Sequence, residues 1–111
     1  MPSKRLKLPV YKYADVSSGH ITQKDAELLD IAASFAGRYA GVPLIAKYAK
    51  GWFLSTRPDW YDEEQWAMDL TELGFSRDFI GLWHEVSKKG CQILRLDADG
   101  EQIAGLPLHQ W

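Results

Sequence analysis

Gly90-Cys-Gln-Ile-Leu-Arg-Leu-Asp-Ala-Asp-Gly-Glu-Gln-Ile-Ala-Gly-Leu-Pro-Leu-His-Gln-Trp111 reads as a helix stop, a strand, a four-residue turn, a second strand and an aromatic anchor. Asp97-Ala98-Asp99-Gly100 places turn-forming residues between Ile93-Leu94-Arg95-Leu96 and Glu101-Gln102-Ile103. Gly100 is free to adopt a positive φ there. The pattern predicts a C-terminal β-hairpin, and it contains no catalytic machinery.

Upstream, the same two signals recur: apolar runs broken by turn residues, and helical stripes with caps. Val10 to Val16 is β-branched and aromatic and predicts a strand, broken at Ser17-Ser18-Gly19-His20. Thr22 is placed as a helix N-cap with Asp25 as its capping-box partner and Ile21 as a hydrophobic staple. From Gln23 to Ala36, Leu28, Ile31, Ala32 and Phe35 recur at helical spacing, with Leu29 and Ala36 widening the stripe and Gly37 as the stop. Pro43 to Ala49 and Trp52 to Thr56 predict a hairpin turning at Lys50-Gly51, ended by Arg57-Pro58. Asp59 is expected to cap a second helix reaching Leu73, with Trp66, Leu70 and Leu73 on its buried face and Gly74 as its stop. Ser76 is expected to cap a third helix, Arg77 to Lys89, with Phe79, Leu82, Trp83 and Val86 facing inward. The predicted order is β-α-β-β-α-α-β-β. Strands paired through short turns and helices in runs define an α+β class, with a mainly antiparallel sheet of four or five strands packed by three helices.

A chain of 111 residues, 46% apolar and 25% charged, is one domain spanning 1–111 that can bury a core without a metal or disulfide. Residues 1–9 read as a loose basic lead-in. The single Cys91 excludes an intramolecular disulfide and a Cys-rich zinc site. No apolar run has the length of a membrane span, and no signal-peptide apolar region follows the basic start, so a cytoplasmic protein without membrane attachment is expected.

Asp97-x-Asp99-Gly100 resembles the opening of a calcium loop, but the glycine falls at the fourth position instead of the sixth, Gln102 stands at the sixth and Leu108 at the twelfth. His20, His84 and His109 have no His-x-x-x-His partner. Cys91 with His84 could form a nucleophile and base, yet a cysteine opening a strand after a helix stop more often packs as a small hydrophobe. No phosphate-binding glycine loop is present. The expected metal and cofactor content is none.

Two charge features remain. Lys4, Arg5, Lys7 and Lys12 interleave with Tyr11 and Tyr13, as in arms that bind single-stranded nucleic acid. A solubilising start is the plainer reading, because nothing else in a chain of net charge −2 extends the patch. The sharper feature lies between Asp59 and Glu72, where Asp59, Asp62, Glu63, Glu64, Asp69 and Glu72 occur without a lysine or arginine. Acids in a helix's first turn follow from its dipole. Asp69 and Glu72 sit toward the wrong end for that account, and Trp60, Tyr61 and Met68 lie off the core stripe. A solvated acidic face over an aromatic-rich core is the plainer reading. Aromatic anchors ringed by one sign of charge also suit docking on a basic protein surface.

His20-Ile-Thr-x-x-Asp25-x-x-Leu-Leu, Gly51-Trp-Phe, Leu73-Gly-Phe-Ser and Leu94-Arg-Leu-Asp-x-Asp-Gly…Gly105-Leu-Pro-x-x-x-Trp111 together resemble a group of small uncharacterised bacterial proteins carried on plasmids and integrated prophages. The likeness runs from about His20 to Trp111. It implies no activity that can be carried over to a residue. It implies an accessory protein of a mobile genetic element, of the kind that acts as an inhibitor of host defence or as an immunity protein. The leading expectation is therefore a non-enzymatic protein that occludes a macromolecular partner, a protein with a basic surface, through Trp60, Tyr61, Asp62, Glu64, Met68, Asp69 and Glu72. A net charge of −2 argues against full nucleic-acid mimicry. The alternative is nucleic-acid binding through Lys4, Arg5, Lys7, Tyr11, Lys12 and Tyr13. A third expectation is an enzyme or small-ligand binder whose site is assembled from distant residues, for which a pocket lined by His20, Cys91 or His109 is the signature.

Overall fold

The computed structural model describes residues 7–34 and 45–111. Strand β1 covers Tyr13–Ser17, a 3-10 turn follows at Ser18–His20, and helix α1 covers Gln23–Ser34. Strands β2 (Ile45–Tyr48) and β3 (Gly51–Ser55) precede helices α2 (Glu63–Leu73) and α3 (Arg77–Lys88), and strand β4 (Ile93–Asp97) follows. The class is α+β, as the sequence predicts, with the four strands in the order β1-β4-β3-β2. The β2–β3 and β3–β4 pairs are antiparallel, while β1 runs parallel to β4. The sheet is thus mixed.

The caps explain where the helices begin and end. Thr22 and Asp25 form the expected reciprocal pair, with Asp25 N–H donating to Thr22 Oγ1 and Thr22 N–H donating to Asp25 Oδ2, both at 3.1 Å. Ser76 caps α3 by accepting from Phe79 N–H at 3.3 Å. Gly74 ends α2 with φ of 105°, a left-handed conformation that closes a helix at low cost for glycine. The cap of α2, however, is Asp62 and not Asp59: its carboxylate accepts from Gln65 N–H at 3.1 Å. Asp59, Trp60 and Tyr61 form a turn before the helix, tied by Tyr61 N–H to Pro58 O at 3.0 Å.

Inward-facing residues of the sheet (Val16, Ile45, Trp52, Leu54, Leu94 and Leu96) share one core with the three helices. Trp66, Phe75, Phe79 and Trp83 form its aromatic centre. Trp66 and Trp83 meet edge to face at 5.6 Å, and Phe79 stacks on Trp83 at 5.0 Å. Such pairs add about 0.5–1.5 kcal/mol each beyond the area they bury. The opposite face of the sheet carries Tyr13, Asp15, Phe53 and Arg95, all exposed or half-buried.

Three local expectations are corrected. On α1 the buried positions are Asp25, Ala26, Leu29 and Ala32, whereas Ile31 is 48% exposed. Asp25 also accepts from Ser76 N–H at 2.7 Å and Ser76 Oγ at 2.6 Å, and this polar anchor sets the rotation of the helix about its axis. Phe35, Ala36, Gly37 and Pro43 lie outside the described residues. On α3, Ile80 is buried and Leu82 half-buried. In the β2–β3 hairpin the turn is Ala49-Lys50, one residue earlier than expected, and Gly51 belongs to the strand.

The largest departure concerns the opening stretch. Ile93–Asp97 forms β4 and Asp97–Gly100 turns, with Gly100 N–H donating to Asp97 O at 2.9 Å. Among the described residues, no strand follows. Both edges of β4 are already occupied, by β1 and β3. Glu101-Gln102-Ile103 therefore cannot pair with β4, and the chain crosses the end of β1 instead, where Ser17 N–H donates to Glu101 O at 2.8 Å. Gly100 is required for proximity and not for positive φ: a Cβ there would lie 2.5 Å from Val16 O.

Candidate functional site

The residues around Trp60 are built from two local devices. First, the turn Asp59–Tyr61 is pinned by Arg57, whose guanidinium donates to Tyr61 O at 2.7 Å and whose backbone N–H donates to Ser87 Oγ on α3 at 3.1 Å. Second, Tyr61 is fixed to the helix that follows. Its hydroxyl donates to Asp69, and Gln65 Nε2 donates to the other oxygen of the same carboxylate at 2.7 Å. Trp60 stacks on this held ring at 5.4 Å with an interplanar angle of 16°. Its own side chain is nevertheless 80% exposed. The result is an oriented aromatic plate facing solvent.

Glu64, Met68 and Glu72 follow at i, i+4 and i+8 along α2, one ridge of the helix, beside the Gln65/Asp69 ridge that holds Tyr61. All three are exposed, Met68 by 56%. Contacts join three of the seven residues expected at the site, Trp60, Tyr61 and Asp69, while Glu64, Met68 and Glu72 lie along the neighbouring ridge of α2. Asp62 lies at the start of α2, where its carboxylate is engaged in capping. Glu63, on the flank, pairs with His84 Nε2 at 3.0 Å. Arg57 and Gln65 complete the scaffold and were missed. Gln65 stands four residues before Asp69, a legible spacing; Arg57 carries no local signal.

Protonation states follow from the same contacts. The hydrogen bond to Asp69, aided by burial, pushes the Tyr61 hydroxyl up to about 12. That bond and the one from Gln65 hold the Asp69 carboxyl below its ordinary value of 3.8. At the far end of the sheet, burial and then the bond to Asp97 push Tyr48 up to about 12, and Asp97 is lowered by Tyr48 and by the Asp99 backbone N–H. Each pair works as neutral phenol on ionised carboxylate. The tyrosines' contribution to stability is complete below pH 10 and is lost as pH climbs toward 12; that of the carboxylates is complete above 3.8 and is lost below it. Tyrosinate absorbance is expected to show two phenols ionising near 12, one of which returns toward 10 in Asp69→Asn. Unchanged titration in that variant would sink the assignment.

The remaining candidates separate. Lys4 and Arg5 lie outside the described residues; Lys7, Tyr11 and Lys12 are exposed ahead of β1. Tyr13 sits on the outer sheet face with Arg95 5.7 Å above its ring, and Arg95 is paired with Asp15 at 2.8 Å. His20 is a structural clamp. Its Nδ1 donates to Pro107 O and its Nε2 accepts from Ile103 N–H, both at 2.8 Å, which fastens the C-terminal tail. Cys91 lines an apolar groove of about 860 Å³ between α3, β1 and Ile103–Pro107, and His84 is not part of its lining. The thiol and that imidazole do not form a nucleophile and base. His109 lines a different pocket, at the turn of the β2–β3 hairpin. Among the described residues, no group of three or more His, Cys, Asp or Glu is placed to hold a metal ion, and no helix is long and apolar enough to cross a membrane.

These features define a small α+β domain that presents an oriented, acid-flanked aromatic surface. Residues 13–111 match the C-terminal domain of a family of unknown function, DUF5983, and the chain belongs to that family. No curated protein and no solved structure matches it.

Proposed function

We propose that this protein is a small non-enzymatic accessory protein that binds and occludes a partner protein with a basic surface, using Trp60 and the outward ridge of α2. The observation that carries this reading is the exposed Trp60 ring stacked on a Tyr61 that is itself fixed at both ends. A rigid aromatic loses little conformational entropy on binding and buries a large area, the usual make-up of an interface hot spot. Glu64 and Glu72 supply charge of one sign around it, which speeds encounter with a cationic surface. A cytoplasmic inhibitor encoded by a bacterial mobile element, directed at a host-defence protein, is the biological role that fits.

The test is a tagged pull-down from bacterial lysate with nuclease present, followed by reconstitution of the recovered partner from pure components. Trp60→Ala is expected to weaken binding by at least about 30-fold, the scale of one hot spot of about 2 kcal/mol. Its melting temperature should stay near that of the parent, because an exposed side chain contributes little to folding. Glu64→Lys should slow association and flatten its salt dependence. Full affinity in both variants would rule the surface out.

A second reading has its own observation: Tyr13 and Phe53 are exposed on the outer sheet face, and the exposed Lys7, Tyr11 and Lys12 precede Tyr13 in the chain. Single-stranded nucleic acid stacks on such rings. Recovery of partners only without nuclease, together with affinity that falls steeply with salt, would favour it over the α2 surface.

A further inference from the structure

A pocket of about 420 Å³ opens where the β2–β3 turn meets the Ser18–His20 turn and the end of the C-terminal tail. Its walls include Lys47, Tyr48, Lys50, Trp52, His109 and Trp111, and none of these residues belongs to the α2 surface. The volume falls within the range of about 300–1,000 Å³ typical of small-molecule sites.

Two observations say what such a molecule must carry. Trp111 is oriented by its Nε1, which donates to Ile21 O at 3.0 Å, and remains 53% exposed; a planar ring can stack on it. The charged side chains of the lining are Lys47 and Lys50, with no Asp or Glu side chain among the lining residues. Their present partners, Asp30 at 2.6 Å and Asp99 at 2.8 Å, lie outside that lining in exposed pairs. Exposed pairs contribute little to stability, so an entering anion can take their place.

We propose that this pocket binds a nucleoside monophosphate. The base stacks on Trp111, and the phosphate lies between the ammonium groups of Lys47 and Lys50. A ring without charge would leave the lysines unused, and inorganic phosphate would leave Trp111 and much of the volume unused. The nucleotide can be free or the terminal residue of a single strand; the chemistry recognised is the same.

Titration calorimetry on the full chain tests this with AMP, GMP, CMP and UMP, the matching nucleosides, inorganic phosphate, and a short single strand bearing a terminal phosphate. At least one monophosphate is expected to bind saturably, with its nucleoside and inorganic phosphate weaker by at least about tenfold and with affinity falling as salt rises. Lys50→Ala and Trp111→Ala should each lose about tenfold, roughly one good interaction. Lys50 is exposed, so that variant keeps its fold and isolates the binding effect. Binding of the strand alone, with the same sensitivity to both variants, identifies a strand terminus as the source. Absence of saturable binding by mononucleotide and strand, or binding that Lys50→Ala and Trp111→Ala leave unchanged, overturns the proposal. Neither result bears on the α2 surface.

Discussion

Asp25→Ala is expected to destabilise the protein by about 3–5 kcal/mol, because it strands several buried donors at once. Asp25 is fully buried. Its two oxygens accept from Thr22 N–H, Ser76 N–H and Ser76 Oγ, which couples the start of α1 to the start of α3 across 51 residues of chain. Alanine leaves both backbone N–H groups unpaired in a site closed to water, and each such orphan costs about 1–3 kcal/mol. Against a total stability of about 5–15 kcal/mol for a domain of this kind, the loss is large. Urea denaturation followed by tryptophan fluorescence measures it. Asp25→Asn should fall between parent and alanine, since its amide retains one acceptor oxygen for Ser76 but presents an N–H toward the remaining donors. A loss in Asp25→Ala no greater than that of an ordinary exposed cap, about 1 kcal/mol, would show that the carboxylate is not the link between the two helices.

Gly51→Ala is the second large effect, expected to cost about 3 kcal/mol or more, at the top of the usual range for overpacking. A Cβ at Gly51 would lie 1.7 Å from Leu96 O and 2.8 Å from Leu96 C. Those are backbone atoms of the central strand and cannot rotate away as a side chain could. Relief requires β3 and β4 to separate where Gly51 faces Asp97 and Trp52 faces Leu96. That movement disturbs the Tyr48–Asp97 hydrogen bond and the turn that forms the pocket wall. Loss of amide-exchange protection should concentrate at Leu96, Asp97 and Trp52. Near-parental stability with normal protection at those amides would contradict this account of the close approach.

The fold was legible wherever the signal is local. Thr22 with Asp25, Ser76 and Gly74 mark helix ends because a cap satisfies groups within a turn of itself. The Trp66/Leu70/Leu73 and Phe79/Trp83/Val86 stripes announced their buried faces for the same reason. Ile31 did not. Its spacing suits a core, but Asp25's bonds to Ser76 turn Ala26, Leu29 and Ala32 inward. The α2 surface was half legible. Its acids and aromatics stand in one stretch of sequence, whereas the hand of Arg57 and the plate made by Trp60 on Tyr61 depend on a turn whose cap, Asp62, lies three residues later than expected. Of the pocket the sequence offered only His109 as a candidate lining residue, because the walls come from Ser17–Gly19, Lys47–Trp52, Ala98 and the tail, brought together only by folding.

What the sequence determined alone is therefore the α+β class, the starts of α1 and α3, the stop of α2, the β2–β3 turn to within a residue and the acid-aromatic stretch, all products of interactions between near neighbours. What tertiary structure decided is the fate of the last eleven residues. Alternation and a good turn qualify Glu101–Ile103 for a strand, but strand pairing is a competition for free edges. Parallel β1 and antiparallel β3 hold both edges of β4. The tail is left to bind His20, Gly19 and Ile21 instead, and in doing so it carries His109 and Trp111 to the pocket.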